Sequence, residues 1–439
     1  MPSQGSELAV ILADEVIGTL SQPPTKNRVF SYRKDWENIA TPLSLSMVPR
    51  AAAYNHTKVD PFLWGLIPDN HDVRRQIGRQ FDISPNNPMA LLSKIGLDCA
   101  GAVRFCQPEQ VAPVLKNTGS LEPLSNKAIA QKLRDLINSI GGIQLNDQES
   151  WSLAGAQAKM ALRQENGKWN LAYGAEPTTH ILKPGIAELD YQALNEYVCM
   201  KVAQKIGLNV SKANYLEFDG VPAICVERYD RLRLDDNRLI RVHQEDICQS
   251  LSVNPDNKYS ADGGPTADEI LDLLAKIGRP NTRTKNREDF VKALFFNYLM
   301  MAPDAHAKNY SLLLLADSVR LAPLYDIASG APYTKNYGEL RYKRAAMRIG
   351  GENSFGSLTR VNLEKFANKN GFTEEWATDL MQQMAKDIPE TIEEVFDETA
   401  ALVDKKPLNG LRKLMLGPLS SHCHKISTQI SLDKQPNNI

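Results

Sequence analysis

The sequence predicts an α+β fold, with an N-terminal α/β accessory region, a β-rich small lobe and a helical large lobe. Three observations predict it. Asn166-Gly167 and Asp219-Gly220 each separate two strand-like runs, and such dipeptides favour the left-handed backbone of two-residue hairpin turns. Between those hairpins Leu194, Val198, Val202 and Ile206 recur every four positions, as on one buried helical stripe. Beyond Gln244 the apolar period becomes mostly helical, with Val291, Leu294, Phe295, Tyr298 and Met301 on one face. A length of 439 residues allows two or three domains and a large core.

Residues 1–148 make up the accessory region. Segment 8–13 and a turn near Asp14-Glu15 predict an opening β-hairpin. Residues 61–68 read as a packed loop, and 89–96 as a short helix ended by glycine. No residue there carries evident chemistry, which points to docking or scaffolding. The small lobe spans 149–243. Strands are expected at 158–163, 168–173 and 179–183, the last with Ile181 and Lys183 on one face. A helix over 189–206, capped by Gly207, leads to strands 213–218 and 221–226. The large lobe spans 244–415, with further amphipathic segments at 362–369, 373–387 and 391–403. Residues 416–439 are polar with little periodicity and read as a flexible tail.

Composition sets limits. Hydrophobic residues at 42%, charged residues at 23% and a net charge of -1 are those of a soluble globular protein with no global pull toward nucleic acid or anionic membrane. DNA contact would need a local patch or a partner. The longest apolar stretch, 293–303, is interrupted by Asn297 and too short to span a bilayer, and Met1 to Glu7 hold no basic n-region, so no secretory signal is expected. Six cysteines without a C-x-x-C pair read as reduced, buried thiols of a cytoplasmic protein. Lys335, Arg341, Lys343, Arg344 and Arg348 around Gly350-Gly351 are either solvated charges or a contact for an acidic substrate or nucleic acid.

Chemistry concentrates near Asp304. Asn309 follows five residues later and Asp326 seventeen beyond that, with a strand-turn-strand pattern between them. A hairpin pivoting on Asp317 would set Asn309 opposite Tyr325, and cross-strand Cβ atoms lie about 4.5–5.5 Å apart. Asn309 and Asp326 are therefore expected to share one metal ion, with Asp304 facing a hydroxyl. Protein kinases use this layout for phosphoryl transfer from ATP. Two hard oxygen donors suit Mg²⁺. His306 reads as a structural loop residue or as a partner of a phosphate or metal-bound water. Lys308 reads as a solvated lysine or as one that offsets charge on the transferred group. Upstream, Ala154, Gly155, Ala156 and Gln157 precede the first small-lobe hairpin, and small residues let backbone amides approach a phosphate. There is no G-x-x-x-x-G-K-[ST], so this is not a Walker loop. Lys183 is a candidate for the α- and β-phosphates, with Glu196 on the next helix as its ion-pair partner. Singly, each residue has an ordinary structural reading. Their joint spacing is what points to a site.

Several segments together resemble the HipA serine/threonine kinase toxins. They are Ser152-Leu153-Ala154-Gly155-Ala156-Gln157-x-Lys159, Thr178-Thr179-His180-Ile181-Leu182-Lys183, Asn195-Glu196, Glu227-Arg228-Tyr229-Asp230-Arg231, His243-Gln244-Glu245-Asp246, Asp304-x-His306-Ala307-Lys308-Asn309 and Tyr325-Asp326-Ile327. The likeness runs over about 61–351 and includes Pro68-Asp69-Asn70 and the segment from Ile95 to Val103. It implies a core like those of phosphatidylinositol kinases and protein kinases, using ATP and Mg²⁺. It also implies a toxin that phosphorylates a serine of an aminoacyl-tRNA synthetase, with glutamyl-tRNA synthetase as prototype target, and so arrests growth. A HipB-like DNA-binding antitoxin would neutralise it and reach operator DNA; no membrane partner is expected. Carried over by residue, Asp304 matches the catalytic aspartate, Asn309 and Asp326 the Mg²⁺ ligands, and Lys183 the ATP-binding lysine. Glu227 with Tyr229 matches the hinge that meets adenine, and Ala154 to Gln157 the phosphate-covering loop. Ser152 matches the autophosphorylated serine whose modification inactivates such kinases, with Ser150 two positions earlier as the alternative. Two other readings stand beside this one: a small-molecule phosphotransferase of the aminoglycoside type, and a non-catalytic co-repressor that reaches DNA through an antitoxin.

Overall fold

The two-residue turns adopt the backbone that their residues favour. Asn166 and Gly167 take φ of +50° and +74°, and Asp219 and Gly220 take +46° and +77°. They join Met160–Glu165 to Lys168–Gly174 and Ala213–Phe218 to Val221–Glu227. The computed structural model describes residues 6–23, 27–138, 149, 151–333 and 340–432. In it the chain forms two units, each gathered from separate stretches of sequence. One takes Met1–Ile186, Leu216–Asn257 and Ser311–Arg320; the other takes Ala187–Tyr215, Lys258–Tyr310 and Leu321–Ile439.

The first unit is built on sheets. The predicted opening hairpin pairs Ser6–Leu12 with Glu15–Gln22 across Ala13 and Asp14, both with positive φ. It is the centre of a four-stranded sheet flanked by Val29–Tyr32 and Arg104–Cys106. A six-stranded sheet has the order Gly119–Pro123, Lys168–Gly174, Met160–Glu165, His180–Lys183, Val221–Glu227, Ala213–Phe218. One apolar cluster runs from Val10, Leu20 and Phe30 through Phe62, Leu66 and Leu92 to Leu162, Leu182 and Cys225. The accessory region and the small-lobe strands thus share a core. The packed loop expected over 61–68 is instead largely helix, His56–Leu66, with Asn55 capping Thr57 N–H. Pro61 removes one helical hydrogen bond, but burial of Val59, Phe62, Leu63 and Leu66 holds the turn in place.

The second unit is mainly helical. Gln192–Lys205 buries Leu194, Val198 and Val202 as expected, and also Asn195 and Glu196, so more than one stripe is covered. It starts three residues later than predicted because Tyr191 takes φ of +60°. Pro280–Leu299 buries Phe290, Val291, Leu294, Phe295 and Tyr298, whereas Met301, at φ +51°, has left the helix. The flexible tail expected from 416 is corrected by Lys405–Leu432, a helix through most of that span. Leu419, His422, Cys423, Ile426 and Ile430 are buried there. Their three- and four-residue spacing is helical, and polar residues between them masked it. A ribbon of Arg344–Ile349 and Glu352–Ser354 turns at Gly350 and Gly351, with φ of +58° and +98°. A Cβ on Gly350 would lie 1.9 Å from the Asn362 carbonyl oxygen, so only glycine fits. Lys343, Arg344 and Arg348 are exposed, while Lys335 and the Arg341 side chain lie outside the described residues. All six cysteines are buried thiols outside any disulfide. Among the described residues no helix is long and apolar enough to cross a membrane.

Buried histidines set the pH response of the fold. His243 Nδ1 accepts from Ala102 N–H at 3.4 Å and its Nε2 donates to the Leu43 carbonyl at 3.0 Å. His422 Nε2 donates to the Tyr298 carbonyl at 3.1 Å. Burial pushes these two, and His306, down to about 4. An unfolded histidine protonates near 6.5, so between about pH 6.5 and 4 unfolding takes up protons and stability falls as pH drops. Glu245, pushed up to about 7 by burial, acts in the opposite sense above its ordinary 4.5. The net uptake is about two protons, a slope of about 2–3 kcal/mol per pH unit near pH 5.5. Urea midpoints across that range should rise steeply with pH; a flat profile would mean that these imidazoles are charged in the folded chain.

Candidate active site

Helix Pro280–Leu299 delivers the chain to Asp304 through a tight exit: Ala302 N–H donates to the Asn297 carbonyl at 2.9 Å, and Gly330 N–H to the Met301 carbonyl at 2.8 Å. The loop then closes on itself. His306 N–H reaches the Asp304 carbonyl at 2.8 Å, Asn309 Nδ2 the same oxygen at 2.6 Å, and Asn309 N–H the His306 carbonyl at 2.9 Å. With its amide nitrogen committed, Asn309 presents its Oδ1 as the remaining acceptor. The Asp304 side chain is 61% exposed, and the Tyr259 hydroxyl donates to its Oδ1. His306 Nε2 stands 3.7 Å from that oxygen, beyond hydrogen-bond range. Burial keeps the imidazole neutral at pH 7, and its Nδ1 has no partner among the described residues. Lys308 is buried, and its carbonyl accepts the Tyr325 hydroxyl at 2.8 Å.

The hairpin forms, but stops short of the pairing that the sequence suggests. Its strands are Ser311–Leu315 and Ser318–Leu321, so Asn309 and Tyr325 both lie beyond the ladder. The Tyr325 hydroxyl bond holds that segment beside Lys308, and Leu324 exchanges main-chain bonds of 2.8 and 2.9 Å with Asn209 and Ser211. Asp326 takes φ of +59°, a strained region that Asp tolerates better than most residues. Its charge acts on His306 together with those of Asp304 and Lys308, so these three charged side chains lie near one imidazole. Asn195 pins the segment just after Asp326: its Nδ2 donates to the Ser329 carbonyl at 2.8 Å and its Oδ1 accepts Ser329 N–H at 3.1 Å. The Ser329 hydroxyl in turn donates to the Met300 carbonyl at 2.6 Å. The carboxylate of Asp326 and the amide oxygen of Asn309 are hard donors that fit Mg²⁺, a cation that binds few protein ligands and keeps waters and phosphates.

Apart from Glu196, the remaining predicted residues belong to the first unit. Ser152 is 1% exposed; its hydroxyl donates to the Leu66 carbonyl at 2.7 Å and its N–H to the Asp98 carbonyl at 3.1 Å. Gly155 bridges Pro68, and its carbonyl accepts Asp69 N–H at 3.1 Å. Gly155 has φ of +103°, and a Cβ there would sit 2.6 Å from Lys159 Nζ, which donates to the Ala154 carbonyl at 2.8 Å. The loop Ala154, Gly155, Ala156, Gln157 therefore folds over a lysine and leaves Ala156 exposed at its tip. Lys183 ends its strand opposite Ile224 and is buried. Glu227 pairs with His180, and the Tyr229 hydroxyl donates to Gln244 Oε1. Glu196, in the second unit, is buried on Gln192–Lys205. Ser150 lies outside the described residues.

Sequence reasoning quoted Lys159 and most residues of the ionic cluster that braces this segment within its motifs, but assigned them no role and no mutual contact. Arg228 donates to Asp98 Oδ2 at 3.1 Å and to Asp230 Oδ2 at 2.9 Å; Arg231 donates to Asp98 Oδ1 at 2.7 Å. Arg241 reaches Asp98 Oδ1 at 3.3 Å, and Thr178 Oγ1 donates to Oδ2 at 2.6 Å. Some 130 positions separate Asp98 from Arg228, and no local spacing reveals such a pairing. Tyr259 was also missed; it lies 45 positions before the carboxylate that it touches.

The chain matches the model of the HipA-like C-terminal domain over residues 151–392 and that of the HipA N-terminal domain over 8–106. It is 33% identical to the putative kinase Y4mE of Sinorhizobium fredii, covering 90% of this chain and 93% of that protein. It is 28% identical to the serine/threonine-protein kinase toxin HipA of Shewanella oneidensis, covering 88% and 89%. A solved Shewanella oneidensis HipA, in complex with HipB and its operator DNA, superposes with a TM-score of 0.83 at 25% identity, over 98% of this chain and 100% of that one. With one family model covering more than half of its length and a relative of this identity spanning nearly all of it, the chain belongs to the HipA family of serine/threonine kinase toxins.

Proposed function

We propose that the chain transfers the γ-phosphate of ATP to a serine of a translation protein, an aminoacyl-tRNA synthetase such as glutamyl-tRNA synthetase, and thereby arrests growth. The observation that carries this reading is the closed 304–309 loop. Its bonds to the Asp304 carbonyl engage the Asn309 amide nitrogen and leave the amide oxygen as an acceptor, the Asp304 side chain is exposed, and Asp326 is close enough to act on the same histidine. In this reading the serine Oγ attacks the γ-phosphorus, its proton passes to Asp304, and the bond to the bridging oxygen breaks to release ADP. Lys183 and the amides of Ala154 to Gln157 handle the phosphates, Lys308 offsets charge, His306 stays neutral to brace the loop, and the Glu227–Tyr229 segment meets adenine. Magnesium, held by Asn309 and Asp326, supplies charge neutralisation on the phosphates. A HipB-like antitoxin, as in the Shewanella complex, is the partner through which operator DNA is reached.

Autophosphorylation at Ser152 would switch the kinase off. The Ser152 hydroxyl is inside the fold and bonded to Leu66, so a phosphate with about -1.5 to -2 charge could stay only if the loop lifts from the 66–69 segment. Labelled ATP incubated with a cell lysate should mark the target protein and the chain itself. Ser152→Ala should remove the chain's own label and keep the target's. A self-label that survives would move the modification to Ser150 or elsewhere, and transfer to an aminoglycoside without any labelled protein would replace the protein-kinase reading.

A further inference from the structure

We propose that Tyr259 is a positioning residue that clamps the carboxylate of Asp304 for catalysis; this rests on the reading of Asp304 as proton acceptor. The main chain of the 304–309 loop is fixed by its own hydrogen bonds, but these act on the Asp304 carbonyl, not on its side chain. A side chain that is 61% exposed would otherwise sample several rotamers. Among the described residues the carboxylate meets the Tyr259 hydroxyl and, at 3.7 Å, the neutral His306 ring. A phenol donating to a carboxylate is a charge-assisted bond, stronger than a neutral one.

Tyr259 is itself anchored on three sides. Its ring meets His306 edge-on, with centroids 4.8 Å apart and planes at 84°. Its carbonyl accepts Asp262 N–H at 3.0 Å and Gly264 N–H at 2.9 Å. The neighbouring Ser260 hydroxyl donates to the Ala346 carbonyl at 2.7 Å, and the Lys258 carbonyl accepts Ala307 N–H at 3.4 Å. A rigid ring thus delivers its hydroxyl to Oδ1 and leaves Oδ2 for the incoming serine. The buried imidazole acts as a wall behind both groups, which accounts for a histidine whose ring makes no hydrogen bond among the described residues at the heart of the loop.

Tyr259→Phe keeps the ring against His306 and deletes only the hydroxyl. Label transfer from ATP to the lysate proteins that the wild-type chain marks should slow about ten- to a hundred-fold at saturating ATP. The ATP concentration for half-maximal rate and the melting temperature should stay unchanged. An unchanged rate would overturn the clamp, as would a loss that tracks weaker ATP binding or a lower melting temperature, since either marks a purely structural role. Asp304→Asn, run in parallel, separates the two readings. If it is inactive while Tyr259→Phe is fully active, only the clamp fails; if it retains full activity, the role of Asp304 fails and the clamp with it.

Discussion

Asp304→Ala is expected to lower phosphoryl transfer by about 10²–10⁴-fold, the range that a positioned general base contributes. The same change should barely alter stability. Its side chain is 61% exposed, and the bonds that close the loop run to the Asp304 carbonyl, which alanine retains. A surface substitution of this kind typically shifts stability within about 0.5 kcal/mol. Activity and stability should therefore separate: no labelled target, an unaltered unfolding midpoint, and ATP still bound. Wild-type transfer by this variant would reject the catalytic assignment. A variant that is inactive because it is unfolded would show that the loop depends on the carboxylate itself, contrary to its main-chain hydrogen bonding.

The second large effect concerns stability. Asp98 lies under Arg228, Arg231 and Arg241, with the side chains of Asp98, Arg228 and Arg231 only 1–3% exposed. Asp98→Ala would leave those guanidinium groups with Asp230 as the remaining carboxylate of the cluster, itself paired to Arg228 and Arg231. Breaking a buried ion pair from one side costs about 3–5 kcal/mol, because the remaining charge stays desolvated. The melting temperature should fall on the order of 10 °C. Coulombic attraction from Arg231, Arg228 and Arg241 outweighs desolvation and holds the Asp98 carboxyl well below the usual carboxylate range. Its contribution is thus fully present above an unfolded pKa of about 3.9 and disappears only as pH falls through the depressed folded value. At neutral pH the deficit of the variant should be maximal, narrowing only in strong acid. A loss well under 1 kcal/mol would show that water reaches the cluster after the substitution.

Much of the fold was legible because it rests on short-range rules. Asn166-Gly167 and Asp219-Gly220 prefer positive φ whatever surrounds them, and the stripe of Leu194, Val198 and Val202 needs only a helical period. Where a residue's local preference and its burial disagree, local reading failed. Residues 61–68, which open on Pro61, read as a packed loop, yet Phe62 and Leu63 are buried in a helix. The final helix failed for the opposite reason: Leu419, Cys423 and Ile426 look sparse among polar residues until an apolar wall is present to receive them.

The candidate site divides in the same way. By itself the sequence determined the order and spacing of Asp304, His306, Asn309 and Asp326 and set a glycine in the 154–157 loop; the 304–309 loop was legible because so few residues can close only on their own neighbours. Tertiary structure decided the rest: that Tyr325 reaches Lys308 through its hydroxyl and not through a ladder, that Tyr259 meets Asp304, and that Asp98 gathers three arginines. Those contacts join residues 17, 45 and some 130 positions apart. Hydrogen bonds and charges act through space, so contacts between such distant residues exist only once the chain between them has folded.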